Sequence, residues 1–177
     1  QNDLTEFLQF IIECFHTGIY REVNMNITGE SLTETDKLAE ACFNMMKNMY
    51  KKEYSEFLNM FFGIHVSKIK SLESDYLNIT PEPFFNLNLP IAEERTLEKC
   101  IELYTTTEKL EGDNMIENDT VSPSKKEVAE KNIKFWSLPN ILVITLKRFS
   151  NNNRKDQRMI DFPLEDLNLT EYVVGYD

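Results

Sequence analysis

The residues best suited to nucleophilic chemistry in this sequence are Cys14, Cys42 and Cys100, with His16 and His65 as the two imidazoles. A catalytic thiol needs a lowered pKa, which an imidazole or a helix N-terminus supplies, and nearby hydrogen-bond donors for an oxyanion. Each cysteine falls within a helical pattern, and none follows a glycine-rich turn. Cys14 and His16 stand two positions apart on a helix, so their side chains point away from each other. The residues themselves therefore predict structural thiols and no catalytic dyad.

Charge and composition narrow the classes of partner. Acidic residues outnumber basic ones by 30 to 19, for a formal net charge of −11 at pH 7. This charge disfavours a nucleic-acid phosphate backbone and favours a neutral or cationic partner. No apolar run reaches the roughly 18 residues of a transmembrane helix, so we expect no membrane partner. Widely spaced cysteines fit reduced thiols, so we expect a cytoplasmic protein, with a nuclear location also open.

The first 62 residues have the apolar spacing of helices. One helix is predicted over residues 3–17, where Asp3 can cap the first turn with the acid three positions later as its reciprocal partner. A second helix is predicted after the Ser31-x-x-Glu34 signal, and "YSEFLNMFF" adds one or two further turns.

Strand patterns begin at Gly63. The segments "IHVSKIKSLESDYLNIT" and "EPFFNLNLPI" alternate apolar and polar residues, and "TLEKCIELYTT" returns to helical spacing. The run "ILVITL" is apolar on both faces, which predicts a central strand covered on both sides. Residues 113–130 hold few large apolar groups, so we expect a mobile projection there. The mixture predicts an α+β fold.

Several motifs recur here in a known order. They are "QNDLTEFLQFII", "FFGIHVSKI", "FFNLNLPI" with "TLEKCIELYTTTEKLEGDN", "LPNILVITLKRFS" and "IDFPLEDLNLTEYV". In order and spacing they resemble the ubiquitin-specific protease family, the papain-like cysteine deubiquitinases. The resemblance covers nearly the whole chain. It implies a partial papain-like cysteine protease fold within one catalytic domain, with N-terminal helices followed by a mixed and antiparallel sheet.

The resemblance also divides the chain. It implies a helical part over 1–62, fingers and palm over 63–137 with a mobile tip at 113–130, and palm strands over 138–177. The family's Cys box lies upstream of the first motif and its His box downstream of the last. The chain also begins with Gln rather than Met. We therefore expect both boxes to lie outside residues 1–177, no catalytic residue within them, and no activity of this chain alone.

The implied reaction is attack of a thiolate on the carbonyl after the terminal Gly of ubiquitin, followed by hydrolysis of the thioester. The implied partners are ubiquitin, ubiquitinated proteins, and the rest of the catalytic domain on both sides of this segment. A second function stays open, that of a non-catalytic ubiquitin-binding or scaffolding relative. A substituted Cys or His box would favour that alternative.

Three residues match family positions that contact the ubiquitin tail, namely Gln1, Asp3 and Phe149. A carboxylate facing a tail arginine can form a charge-assisted hydrogen bond, which favours Asp3 as a binding residue. Asp3 as a mere helix cap, and Phe149 as a mere core residue, remain the alternatives. Lys147 and Arg148 are interpreted as structural partners of neighbouring acids or strand-edge groups.

Many members of the family carry two Cys-x-x-Cys pairs at the fingertips, a spacing that suits tetrahedral zinc. The corresponding positions here hold Ser71, Ser74, Asn118 and Val121. Hydroxyl, amide and alkyl groups do not replace thiolates as zinc ligands. We therefore expect no structural zinc and no other cofactor, and this loss is the reason to expect a mobile tip.

Overall fold

The computed structural model describes residues 4–149, 152 and 154–175, and Gln1 and Asp3 lie outside them. Its helices are α1 (Leu4–Ile19), α2 (Glu34–Tyr50), α3 (Glu56–Phe61) and α4 (Leu97–Thr105), with short 3-10 turns at Gly112–Asn114 and Thr170–Tyr172. Its strands are β1 (Gly63–Ser71), β2 (Leu77–Phe84), β3 (Asn86–Leu89), β4 (Glu108–Leu110), β5 (Ile116–Asn118), β6 (Lys125–Glu127), β7 (Ala129–Ser137) and β8 (Val143–Leu146). The predicted α+β class, with N-terminal helices before an antiparallel sheet, is confirmed. Among the described residues no helix is long and apolar enough to cross a membrane.

The start of α2 shows how local polar groups fix a helix end. Thr33 is the N-cap, and its hydroxyl accepts a hydrogen bond from the Asp36 amide at 3.1 Å. The Asp36 carboxylate in turn accepts from the Thr33 amide at 2.7 Å, which completes a capping box. The cap therefore lies two residues beyond Ser31, where the sequence signal was placed, because Asp36 rather than Glu34 occupies the reciprocal position.

The largest sheet has the strand order β2-β1-β7-β4 and is antiparallel throughout. Its central strand β1 begins at Gly63, where a Cβ would lie only 2.5 Å from the Phe84 ring and 2.7 Å from the Ser137 carbonyl oxygen. Glycine is therefore required for β2 and β7 to approach β1 on both sides at this point.

Alternation along β7 gives this sheet two cores. Trp136 packs on one face with Cys42 of α2 and with Ile64 and Val66 of β1. Phe135 packs in the other core with Leu87, Leu89, Cys100 and Ile101. The side chains of Cys42 and Cys100 are fully buried in these cores, as predicted for structural thiols, whereas Cys14 is exposed.

Strand β8 pairs in parallel with β3. In the part of the chain that the structure describes, this two-stranded sheet has no further member, and all four residues of β8 are half-buried. Within the described residues β8 is therefore an edge strand, and a central, doubly covered position in a larger sheet stays a prediction. Ile144 and Leu146 of β8 pack against the core that contains Cys100 and Ile101 of α4.

Candidate functional site

Phe149 lies three residues after the end of β8. The Lys147 amide, between them, extends the β3–β8 pairing by donating to the Leu89 carbonyl at 2.8 Å. Its side chain is 61% exposed. An isolated antiparallel bridge joins Phe149 to Lys155, whose ammonium lies 5.9 Å from the centre of the phenyl ring. Within the described residues the Phe149 ring therefore lies on the surface, where it is accessible to a ligand.

Arg148 holds the backbone next to that ring. Its guanidinium donates to the carbonyl oxygens of Asp156 at 3.2 Å and Arg158 at 2.7 Å, and the Asp156 amide donates back to the Arg148 carbonyl. Arg148 thus has the structural role predicted for it, although its partners are carbonyls rather than acids. We call Arg148, Phe149, Lys155, Asp156 and Arg158 the Phe149 cluster.

The Phe149 cluster is cationic apart from one carboxylate. The Arg158 guanidinium donates to both carboxylate oxygens of Asp156, from Nε to Oδ1 at 3.1 Å and from Nη2 to Oδ2 at 2.6 Å. This hydrogen-bonded contact lowers the pKa of Asp156 to about 2. A basic peptide beside Phe149 would therefore need acidic contacts from other elements. Asp3 was predicted for that task, but Gln1 and Asp3 lie outside the described residues, so their approach to Phe149 stays a prediction.

The two histidines have partners other than cysteine. His16 Nδ1 lies 2.7 Å from the Ser55 hydroxyl, and His65 Nε2 lies 3.1 Å from the Glu82 carboxylate. Burial raises the pKa of the Cys42 thiol to about 11, which opposes formation of a thiolate. Within the described ranges the hydrogen-bond partner of each imidazole is thus an oxygen atom rather than a thiol sulfur.

The positions assigned to zinc ligands lie at the far end of the large sheet. Ser71, Ser74 and Asn118 converge there on the carboxylate of Glu127. Both serine hydroxyls donate to Glu127 Oε2 at 2.6 Å, and the Asn118 amide donates to Oε1 at 3.1 Å. We call these four residues the fingertip cluster. Val121 stays outside it with an exposed side chain.

The fingertip cluster does not fit a zinc ion. Zinc needs lone pairs from thiolates, imidazoles or carboxylates directed at one point. Here two hydroxyl protons and an amide proton point inward, and one carboxylate receives them. Across the described residues there is also no group of three or more His, Cys, Asp or Glu side chains arranged to hold a metal ion.

Glu127 was missed by the sequence reasoning. It stands in a charged run, "SKKEV", where an acid is expected to be solvated. The available signal was indirect, because the resemblance placed Ser71, Ser74 and Asn118 together at the fingertip. Three polar side chains placed together in this way require a common hydrogen-bond partner.

The segment 113–130 is also more structured than its composition indicates. Strands β5 and β6 form an antiparallel ribbon within it, and Asn118 is only 1% exposed. The tip was expected to have less to hold it without zinc, and the polar contacts of the fingertip cluster are what join it to the β1–β2 loop. Its mobility in solution stays a prediction.

A family model described as ubiquitin carboxyl-terminal hydrolase matches residues 1–176. The chain is 30% identical to ubiquitin carboxyl-terminal hydrolase 2 of Gallus gallus, over 97% of this chain and 50% of that protein. It is 31% identical to ubiquitin carboxyl-terminal hydrolase 2 of Homo sapiens, over 97% of this chain and 29% of that protein. Ubiquitin carboxyl-terminal hydrolase 4 of Saccharomyces cerevisiae is 25% identical over 97% of this chain and 19% of its own length. The chain thus spans half or less of each of these relatives.

Proposed function

The chain belongs to the ubiquitin carboxyl-terminal hydrolase family, and we propose that it forms the fingers and palm of a thiol-dependent deubiquitinase. The reaction is hydrolysis of the bond after the C-terminal Gly of ubiquitin, and the substrates are ubiquitinated proteins. The observation that carries this proposal is the family match over residues 1–176, which includes the exposed Phe149 at the end of β8.

In this proposal the chain supplies substrate binding and scaffold, and the nucleophile comes from outside residues 1–177. Two of its cysteines are buried in apolar cores, and Cys14 is an exposed thiol on α1. A thiolate elsewhere in the protein attacks the Gly carbonyl, and the amine leaves with a proton from an imidazole. Water then hydrolyses the thioester.

The remainder of the catalytic domain is the proposed partner of two exposed surfaces. Helix α1 exposes large apolar side chains at several positions, which are Leu4, Phe7, Phe10, Phe15 and Ile19. Apolar surface of this extent favours burial against another element. Among the described residues the half-buried strand β8 pairs with β3 along one edge, and we propose that a strand of the remaining domain pairs with the other edge.

For the substrate tail we propose a channel lined by Phe149, with Gln1 and Asp3 as further contacts. The exposed aromatic ring suits a glycine-ended peptide, whose backbone offers little bulk. Asp3 pairs with a basic side chain of the tail and so offsets the cationic groups beside Phe149. The net charge of −11 favours the encounter with a basic tail.

The test uses the full-length protein that contains this chain and ubiquitin carrying a C-terminal fluorogenic amide. We expect turnover that iodoacetamide abolishes and that persists in a Cys14→Ala variant, because Cys14 has no catalytic role. Loss of turnover in a folded Cys14→Ala protein would place the nucleophile within this chain. Ubiquitin binding without turnover would support the non-catalytic alternative.

A further inference from the structure

The geometry of the fingertip cluster points to a metal-free clasp. We propose that the buried carboxylate of Glu127 takes the structural place of a metal ion and ties the β1–β2 loop to the β5–β6 ribbon. The clasp works only while Glu127 is ionised.

The first support is the number of donors that converge on one buried group. Glu127 is 3% exposed and Ser71 is 2% exposed, so water does not compete effectively for these contacts. Three donors meet the two oxygens of Glu127, two of them at 2.6 Å. Distances this short are typical of charge-assisted hydrogen bonds to an ionised carboxylate.

The second support is that neighbouring groups orient two of the three donors, the Ser71 hydroxyl and the Asn118 amide. Ser71 Oγ accepts from the amides of Glu73 at 3.0 Å and Ser74 at 3.1 Å, which leaves its own proton for Glu127. Asn118 Oδ1 accepts from the amide and the hydroxyl of Thr120, at 3.0 and 2.6 Å. The Asn118 amide nitrogen is thereby turned toward Glu127. Backbone amides of two loops have preset the site to receive an anion.

The third support is the set of segments that the cluster joins. The Ser71 and Glu127 side chains are 56 positions apart in sequence, and those of Ser74 and Glu127 are 53 apart. Contacts at this separation cross-link two loops, which is what a metal bound by two short pairs of ligands does.

A second set of hydrogen bonds, on the exposed side of the fingertip cluster, joins the same two segments. Glu73, in the β1–β2 loop, accepts from the Lys125 ammonium and from the Val128 amide, both at 2.8 Å. The Leu72 amide also donates to the Val128 carbonyl at 2.9 Å. These bonds keep the two loops together around the buried carboxylate and limit the access of water.

The surroundings of Glu127 favour the ionised form of its carboxyl group. Hydrogen bonds from Ser71 and Ser74 lower the pKa of Glu127, despite the opposing effect of burial. The charged groups that face it are Lys125 of β6, which also lowers its pKa, and Glu73 of the β1–β2 loop, which is already paired with Lys125. Because the folded pKa lies below the ordinary value of 4.5, the stabilisation is complete above that value. It is lost as the pH falls through the folded pKa.

The experiment compares backbone hydrogen exchange in the full-length protein and its Glu127→Gln variant, with and without EDTA. The variant has the same shape but puts an amide where three donors converge, so we expect exchange of the 71–76 and 116–128 amides to rise about tenfold or more. Exchange in α4 should not change. In the unsubstituted protein EDTA should have no effect, and elemental analysis should find no zinc at this site.

The matched control is Glu117→Gln in β5, an exposed glutamate that accepts from the Ser124 hydroxyl at 2.7 Å. It removes the same charge from the same ribbon without touching the cluster, so fingertip exchange should stay as in the unsubstituted protein. If Glu127→Gln fails to fold, Ser74→Ala provides a milder test through the loss of one donor, with a smaller rise in the same amides. Unchanged exchange in the folded variants, or protection that EDTA removes, would overturn the proposal.

Discussion

The fingertip cluster and the Phe149 cluster each centre on one carboxylate, but their surroundings differ. Glu127 is buried and meets neutral donors from three residues, two of them in the distant β1–β2 loop and the third, Asn118, in its own ribbon. Asp156 is partly exposed and meets an arginine two positions away. A buried carboxylate held by distant neutral donors fixes tertiary structure, because removing one partner leaves other polar groups unsatisfied. A partly exposed local ion pair contributes little to stability. The contacts of Glu127 therefore stabilise the tertiary structure of the fingertip, whereas the surface around Phe149 stays accessible for binding.

The strongest test of this difference between the two carboxylates is Glu127→Ala, which leaves Ser71, Ser74 and Asn118 without their common acceptor. We expect the melting temperature of the full-length protein to fall by about 5 °C or more, because buried donors would lose their hydrogen bonds. Calorimetry measures the shift, and Glu117→Ala is the control. Equal shifts in both variants would mean that Glu127 is no more structural than a surface glutamate.

The next largest effect is expected from Asp3→Ala on the catalytic efficiency of the full-length protein. A hydrogen bond to a charged partner is worth roughly 1.5 to 3 kcal/mol, so kcat/KM should fall about tenfold or more. If Asp3 is only a helix cap, stability falls by about 1 kcal/mol and turnover by the folded fraction persists. A double-mutant cycle with ubiquitin whose tail arginines are neutralised separates these cases, since a coupling energy near zero excludes contact with the tail.

Phe149→Ala tests whether the exposed ring serves binding. We expect kcat/KM for ubiquitin amides to fall about three- to tenfold through a higher KM, because an accessible aromatic contact is lost. The melting temperature should remain nearly constant, since the ring is 61% exposed. Lys155→Ala, which removes only the cation above the ring, is the matched control and should leave KM nearly unchanged. A melting temperature that falls with activity would assign Phe149 to the core instead.

The smallest effect is expected from Asp156→Asn. Its pKa of about 2 means that Asp156 stays ionised down to strongly acidic pH, and its stabilisation is lost only as the pH falls toward that value. At neutral pH the loss of a partly exposed ion pair should change the melting temperature by about 1 °C or less. A decrease as large as that from Glu127→Ala would remove the contrast between the two clusters.

Much of the fold follows from local patterns in the sequence. Apolar periodicity predicted α1 over residues 3–17, close to the observed Leu4–Ile19, and alternation predicted a strand beginning at Gly63. Of the four positions matched to metal ligands, Ser71, Ser74 and Asn118 meet at Glu127, whereas Val121 stays outside the cluster. These features depend on spacing along the chain, which the sequence displays directly.

The parts that escaped prediction depend on contacts between distant segments. Glu127 was unpredictable because nothing in "SKKEV" shows that two serines more than fifty positions earlier would donate to it. The pairing of β8 with β3 was missed for a related reason, since its apolar residues do not reveal which strands lie beside it. Phe149 differs, because its position after the strand was predictable while its exposure was not.

The separation between the two halves of the fingertip cluster also governs how the chain emerges during synthesis. Glu127 is added 56 residues after Ser71, which at about 5–20 residues per second corresponds to a delay of roughly 3 to 11 s. Strands β1 and β2 are synthesised before β7, so the edge of β1 that will receive β7 remains unpaired until β7 emerges. An open strand edge is a template for pairing with other chains. Until β7 pairs with it, the nascent chain therefore exposes a strand edge that a chaperone can protect from pairing with other chains.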